Sequence, residues 1–262
     1  MMEGEAEYGF IVNLDAQGSG LLSDSEKPDM RARLYEVSGR AFEQAGIRAP
    51  RLYQEDRGDG ILSILTSTVP PKRVVGEWLE YLHQNLRESN DRAKARLRLR
   101  VGMHIGPVTA DTHGRSGRAV DLACRLGDCA TAKAVLELAP QAALVAVVSD
   151  RLYEEVVRPG GRWVEPEQYG CREVQLKEGP QTAWFMVPGL PQPPLPEPGA
   201  PSPSPAGSPP EPAAPASGRV VNQHVYGDGQ AISGEQIGTI NIGRSPSPPS
   251  SPSSSSSPGS ER

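Results

Sequence analysis

YGFIVNLD, residues 8–15, is a short apolar run that ends on an acidic side chain and passes directly into a Gly/Ser-rich loop, AQGSG. That pattern predicts a central strand whose end, at Asp15, feeds a functional turn. A helix follows: between 29 and 45 the apolar positions Met30, Leu34, Val37, Ala41 and Ala45 recur every three or four residues, and Gly46 supplies a stop. RLYQEDRGDGILSILTS, residues 51–67, reads as two strands about a turn at 57–60, where Asp59 and Gly60 form a hairpin signal. Pro70 and Pro71 open a second helix that runs to about Asn90, with Val74, Val75, Trp78, Leu82 and Leu86 on one face.

RLRLRVGMHIGPV, residues 96–108, alternates charged and apolar side chains with the period of a half-buried strand. The alternation itself accounts for Arg96, Arg98 and Arg100 as a solvated strand face, the other reading being a nucleic-acid stripe, and it makes His104 a sheet residue. Residues 119–138 continue as a third helix, 144–150 as a buried strand, and 169–176 with 182–187 as a closing strand pair. Helices that alternate with a mixed sheet in this order predict an α/β sandwich of the ferredoxin-like type.

Of the 262 residues, 27 are proline, and most of these lie beyond Met186, so roughly 185 residues remain for one core of ordinary size. The net charge of −5 argues against a general affinity for phosphate backbones or anionic membranes. Cys124, Cys129 and Cys171 lack metal-ligand spacing and read as reduced thiols. With no signal peptide and no apolar stretch near the ~20 residues that a membrane span requires, the expected location is the cytoplasm, with neither nucleic acid nor membrane as a partner.

The chemistry gathers on acidic residues. In a ferredoxin-like sheet the first strand end and the first hairpin turn are neighbours, so Asp15 and Asp59 should come close enough to share an ion. Paired carboxylates on rigid strand ends suit Mg²⁺ or Mn²⁺, with phosphate oxygens as further ligands. A strand end and an Asp-Gly turn also favour Asp for local hydrogen bonding alone.

FIVNLDAQGSGLLSD resembles the opening block of the class III adenylyl and guanylyl cyclases, and EDRGDGILSI their second block, about 44 residues from the first acidic residue to the second. GRAVDLACRL is similar to their third block, a helix with an Asn and, four residues on, an Arg, and VQLKEGPQTAWFMVPG to their closing strand pair. The resemblance covers nearly all of residues 8–189. It implies that Asp15 and Asp59 are metal ligands for Mg or Mn, and that Arg125 stabilises charge developing on phosphates, against the alternative of a helix-surface ion pair. Asp121 stands where the family has the amide that donates to the ribose oxygen, so an anion replaces a donor. Glu55 takes the purine-selecting place, as in guanylyl cyclases, its usual partner position falls near Gly114, and Lys177 approaches the phosphate position; for Glu55 and Lys177 a solvated surface role is the other reading. The family works as homodimers, with the metal carboxylates from one subunit and the Asn/Arg pair from the other, on a purine nucleotide whose 3′-oxygen attacks the α-phosphate.

Beyond the head, residues 190–218 form a Pro-rich linker without the apolar side chains to offset ordering. Residues 219–243, RVVNQHVYGDGQAISGEQIGTINIG, contain no proline and mix β-branched side chains with Asn and Gln, a composition for stacked strands. Ser and Pro resume over 244–262. GEQIGTINIG, with Gln236, Ile237, Gly238 and Asn241, resembles the RIP homotypic interaction motif and bacterial amyloid signalling motifs, which implies self-assembly or a receptor partner; an extra strand on the parent domain is the other reading. Three functions follow from the sequence: a signalling protein with a degenerate cyclase-like head, a working purine nucleotide cyclase, and a non-enzymatic dimeric adaptor.

Overall fold

The protein is described by a computed structural model over residues 5–197. The rest of the Pro-rich segment, the 219–243 island with Gln236, Ile237, Gly238 and Asn241, and the 244–262 tail lie outside the described residues. In chain order the elements are β1 (Ala6–Ala16), α1 (Lys27–Gln44), β2 (Leu52–Asp56) and β3 (Gly60–Thr66). A helix then opens as α2 (Pro71–Arg73), widens through one π-type turn at Val74–Trp78 and continues as α3 (Leu79–Asp91). After it come β4 (Leu99–Asp111), β5 (Gly114–Ser116), α4 (Arg118–Asp128), α5 (Ala130–Leu138), β6 (Leu144–Ser149), α6 (Asp150–Leu152), β7 (Gly170–Leu176) and β8 (Gly179–Met186).

The sheet order is β2-β3-β1-β4-β6-β8-β7, with β5 added beside β4. β1 lies between β3 and β4, antiparallel to both. The strands that α1 and α3 connect are therefore never adjacent to each other, which is the split βαβ arrangement of a ferredoxin-like sandwich. β4 and β6 are parallel, and the α4–α5 pair makes the crossover that a parallel pair requires.

The pleat decides which layer each side chain joins. Phe10, Val12, Leu14 and Ala16 of β1 face α1 and α3 in the main core, together with Leu34, Val37, Ala41, Trp78, Leu82 and Leu86. Phe42 stacks on Trp78 with ring centroids 4.9 Å apart. On the opposite face Ile11 meets Leu62, Ile64, Val120 and Ala123 beneath α4. α4 lies so close to β4 that a Cβ at Gly102 would stand 2.0 Å from the Ala123 carbonyl oxygen, so the sequence has no side chain there.

The helix expected over 119–138 is two helices. Cys129 between them is extended, and its Sγ accepts the amide of Ala132 at 3.4 Å, so the cysteine caps α5 rather than lying within a helix. The first residues of the Pro-rich segment pack on the domain: Leu190 and Leu195 join the core beneath β8, and a Cβ at Gly170 would meet Pro193 at 2.8 Å.

Candidate functional site at the β1 and β3 strand ends

Asp15 pairs with Gly60 in the β1–β3 ladder, and the amide of Ala16 donates to the carbonyl of Asp59 at 3.0 Å. The structure thus brings the two acidic residues to adjacent strand ends. The approach is backbone to backbone: a Cβ at Gly60 would lie 2.4 Å from the Leu14 carbonyl oxygen, so no side chain fits between the strands there. The Ser19 hydroxyl, from the single helical turn at Ser19–Leu21, donates to the Asp59 carboxylate. Arg31 of α1 clamps the hairpin turn from outside, donating to the Gly58 carbonyl and the Asp56 carboxylate, while Asp56 accepts the Gly58 amide at 2.7 Å.

Asp15 carries an ion pair to Arg100. The Arg100 side chain is 7 % exposed; it donates to the Gly127 carbonyl at 3.0 Å and to Gln17, and reaches Asp128 at 3.4 Å. Burial pulls its affinity for the proton down, and the anion of Asp128 works against that. This corrects the solvated face expected for Arg100; Arg98 is half-buried, and Arg96 is exposed as expected. Arg98 donates to the carbonyls of Leu136, Ala139 and Ala142, and Arg96 to those of Pro140 and Gln141 at 3.3 and 2.7 Å. The last carbonyls of a helix lack partners within it, and at the end of α5 Arg98, just ahead of β4, donates to those of Leu136 and Ala139.

A second group assembles around the outer end of β2. The Glu55 carboxylate accepts the Tyr53 hydroxyl at 3.1 Å and pairs with Arg57 at 3.0 Å. A Cβ at Gly114 would come 3.0 Å from Glu55 Oε2, so the sequence places Gly114 against Glu55 as expected and leaves the space beside the carboxylate empty of side chain. Arg115 lies over the Tyr53 ring, 4.7 Å from its centroid. Burial pushes the Cys124 thiol up, and the charges that act on it are those of Arg57, Asp121, Arg125 and Glu55, which sets these five side chains in one neighbourhood.

Asp121 is exposed in the first turn of α4 and Arg125 lies in the last turn, positions where an anion and a cation complement the helix dipole. Arg125 pairs with Glu178 in the β7–β8 turn, next to the exposed Lys177. Lys177 is in the same turn as Glu178, and a carboxylate occupies the arginine. Sequence reading missed Arg100, Arg57, Ser19 and Glu178. Arg100 had a signal: a strand flanked in sequence by helices that must cover both sheet faces has no solvated side. Arg57 and Glu178 are surface charges whose partners depend on which turns meet.

No protein-family model matches the chain, and neither does any curated protein. Among solved structures, the guanylyl cyclase Cya2 is similar at 20 % identity and a TM-score of 0.51, covering 77 % of this chain and 99 % of its own. An adenylate/guanylate cyclase/hydrolase from Silicibacter pomeroyi is similar at 20 % identity and a TM-score of 0.50, covering 71 % and 99 %. The α/β sandwich is that of the class III cyclase catalytic domain.

Proposed function

We propose that the chain is a signalling protein whose head binds a purine nucleotide with Mg²⁺ or Mn²⁺ as a homodimer, turns it over slowly or not at all, and is clustered by its C-terminal motif. The observation that carries this reading is that the backbones of Asp15 and Asp59 meet at adjacent strand ends of a cyclase-type sheet.

The donor set fits a hard divalent cation in kind: two carboxylates on rigid strand ends, with water and phosphate oxygens left to complete six ligands. When bound, such an ion polarises phosphate oxygens and lowers the pKa of an attacking oxygen. The protein's own residues decide how far that chemistry goes. Asp59 is oriented by the Ser19 hydroxyl and Asp15 by Arg100, whose positive charge already answers one of the two carboxylates. Asp121 accepts hydrogen bonds where catalysis wants a donor to the ribose, and Arg125 must leave Glu178 before it meets a phosphate. These three features support binding over turnover.

Calorimetry of the full chain with GTP and ATP, with and without Mn²⁺, tests the reading. Saturable, Mn²⁺-dependent binding with little cyclic product is the expected result. Production of cyclic nucleotide and pyrophosphate at ~1 per second or more overturns the slow-turnover reading in favour of a working cyclase. Asp15→Ala should weaken Mn²⁺-dependent nucleotide binding by about tenfold, equivalent to ~1.4 kcal/mol. Unchanged binding in that variant removes the carboxylate pair from the site.

A further inference from the structure

We infer that Arg57 is a guanine-reading residue, supplying the donor edge that Gly114 cannot. The inference rests on the nucleotide-binding reading above. Glu55 is an acceptor-only side chain when ionised, so it recognises the ring N1–H and the 2-amino group of guanine and offers nothing to the ring's acceptors, O6 and N7. A complete site needs a donor on the same side. Gly114 lies against the Glu55 carboxylate and has no side chain to give.

Arg57 stands where the donor is needed. Its Nη2 is 3.0 Å from Glu55 Oε1, and that is its ion pair among the described residues. A guanidinium has five N–H donors in a planar fork, so pairing with one carboxylate oxygen does not use them all. The side chain is 43 % exposed and Glu55 28 %, which leaves both open to a ligand from the solvent side. The second carboxylate oxygen is fixed by the Tyr53 hydroxyl at 3.1 Å, so Glu55 and Arg57 present an acceptor and a donor group side by side from a rigid strand end. That order matches the sequence of groups around guanine: 2-amino, N1–H, then O6 and N7. Adenine, with an amino group at position 6 and an unprotonated N1, opposes it at both places.

A different role for the same contact is occlusion, in which Arg57 merely neutralises Glu55 and must be displaced by any base. The two roles differ in sign. Equilibrium binding to the full chain with Mn²⁺ is measured for GTP, 7-deaza-GTP, which lacks the N7 acceptor, and ATP, on the natural protein and on Arg57→Ala and Arg57→Lys. The expected result is GTP bound about tenfold or more tightly over 7-deaza-GTP and ATP, Arg57→Ala lowering GTP to the 7-deaza level, and Arg57→Lys falling between, because a good two-point contact to guanine is worth ~1–3 kcal/mol. Tighter GTP binding in Arg57→Ala overturns the inference and establishes occlusion. Equal affinity of the natural protein for GTP and 7-deaza-GTP also overturns it, and this comparison stands even where the variants fail to fold. Either result leaves the nucleotide-binding reading intact, whereas absence of all purine nucleotide binding removes that reading and this inference together.

Discussion

His104 sits on β4 with its Nδ1 2.7 Å from the Ser149 hydroxyl, which itself accepts the Leu152 amide at 3.2 Å. The Ser149 hydroxyl has a second lone pair beside the one that takes the Leu152 amide, so its bond to a neutral His104 ring runs in either direction with the tautomer. Protonation would place a charge on a partly buried ring beside the Arg151 cation. Burial and then the Arg151 charge lower the imidazole pKa to about 4, with Glu155 opposing. The sign follows from linkage: above the unfolded value of about 6.5 both states hold the ring neutral and stability is full, and it falls as pH drops through 4, because the unfolded chain takes up the proton first. The loss is at most roughly 3 kcal/mol, and less where solvent screens the ring. Urea denaturation between pH 7.5 and 4 should show this loss, and His104→Gln should flatten the pH dependence by about one proton over that interval. A variant with the natural slope would show that other groups carry the acid sensitivity.

At the scale of elements, α4 packs closely on the sheet, and both halves of the site depend on that contact. α4 carries Asp121 and Arg125, and its end holds the Gly127 carbonyl against Arg100, which in turn holds Asp15. A Cβ on Gly102 would stand 2.0 Å from the Ala123 oxygen and 2.6 Å from the Gly127 amide nitrogen, both backbone atoms that cannot rotate away. Gly102→Ala is therefore expected to cost about 3 kcal/mol and to lower the thermal midpoint by several degrees; an unchanged midpoint would mean that α4 shifts freely on the sheet. This contact also marks what the sequence discloses. The apolar period of residues 8–15, the Asp-Gly turn and the alternation of 96–108 are local patterns, and each marks a strand or hairpin of the fold, though β4 runs from Leu99 to Asp111 rather than from Arg96. The placing of Glu55 against Gly114 was legible because a motif fixes both positions. The break at Cys129 was not, since Ala, Leu and Val on either side keep the helical period while one residue's extended backbone ends it. Arg100 was misread for a similar reason: alternation gives the face of a strand, while the helix that covers that face comes from elsewhere in the chain.

For the molecule as a whole, the sequence changes character three times: apolar and charged residues through the head, proline and serine beyond it, and a proline-free island at 219–243 between two such stretches. Proline cannot donate to a strand ladder, so the flanks cannot join a cross-β stack, whereas Val, Ile, Asn and Gln in the island favour interdigitated side chains and amide ladders with little charge to oppose them. Clustering is therefore expected to depend on residues 219–243 alone. A chain ending at Gly218 should give the light-scattering mass of a dimer, while a peptide of 219–243 should form fibrils with the ~4.7 Å cross-β reflection. Ile237→Pro removes a ladder donor beside Gln236 and should block assembly of the full chain while leaving the thermal midpoint of the head unchanged. Fibre diffraction on the peptide and static light scattering on the two chains decide the matter. A peptide that stays monomeric at millimolar concentration, or a proline variant that assembles like the natural chain, would end the amyloid reading.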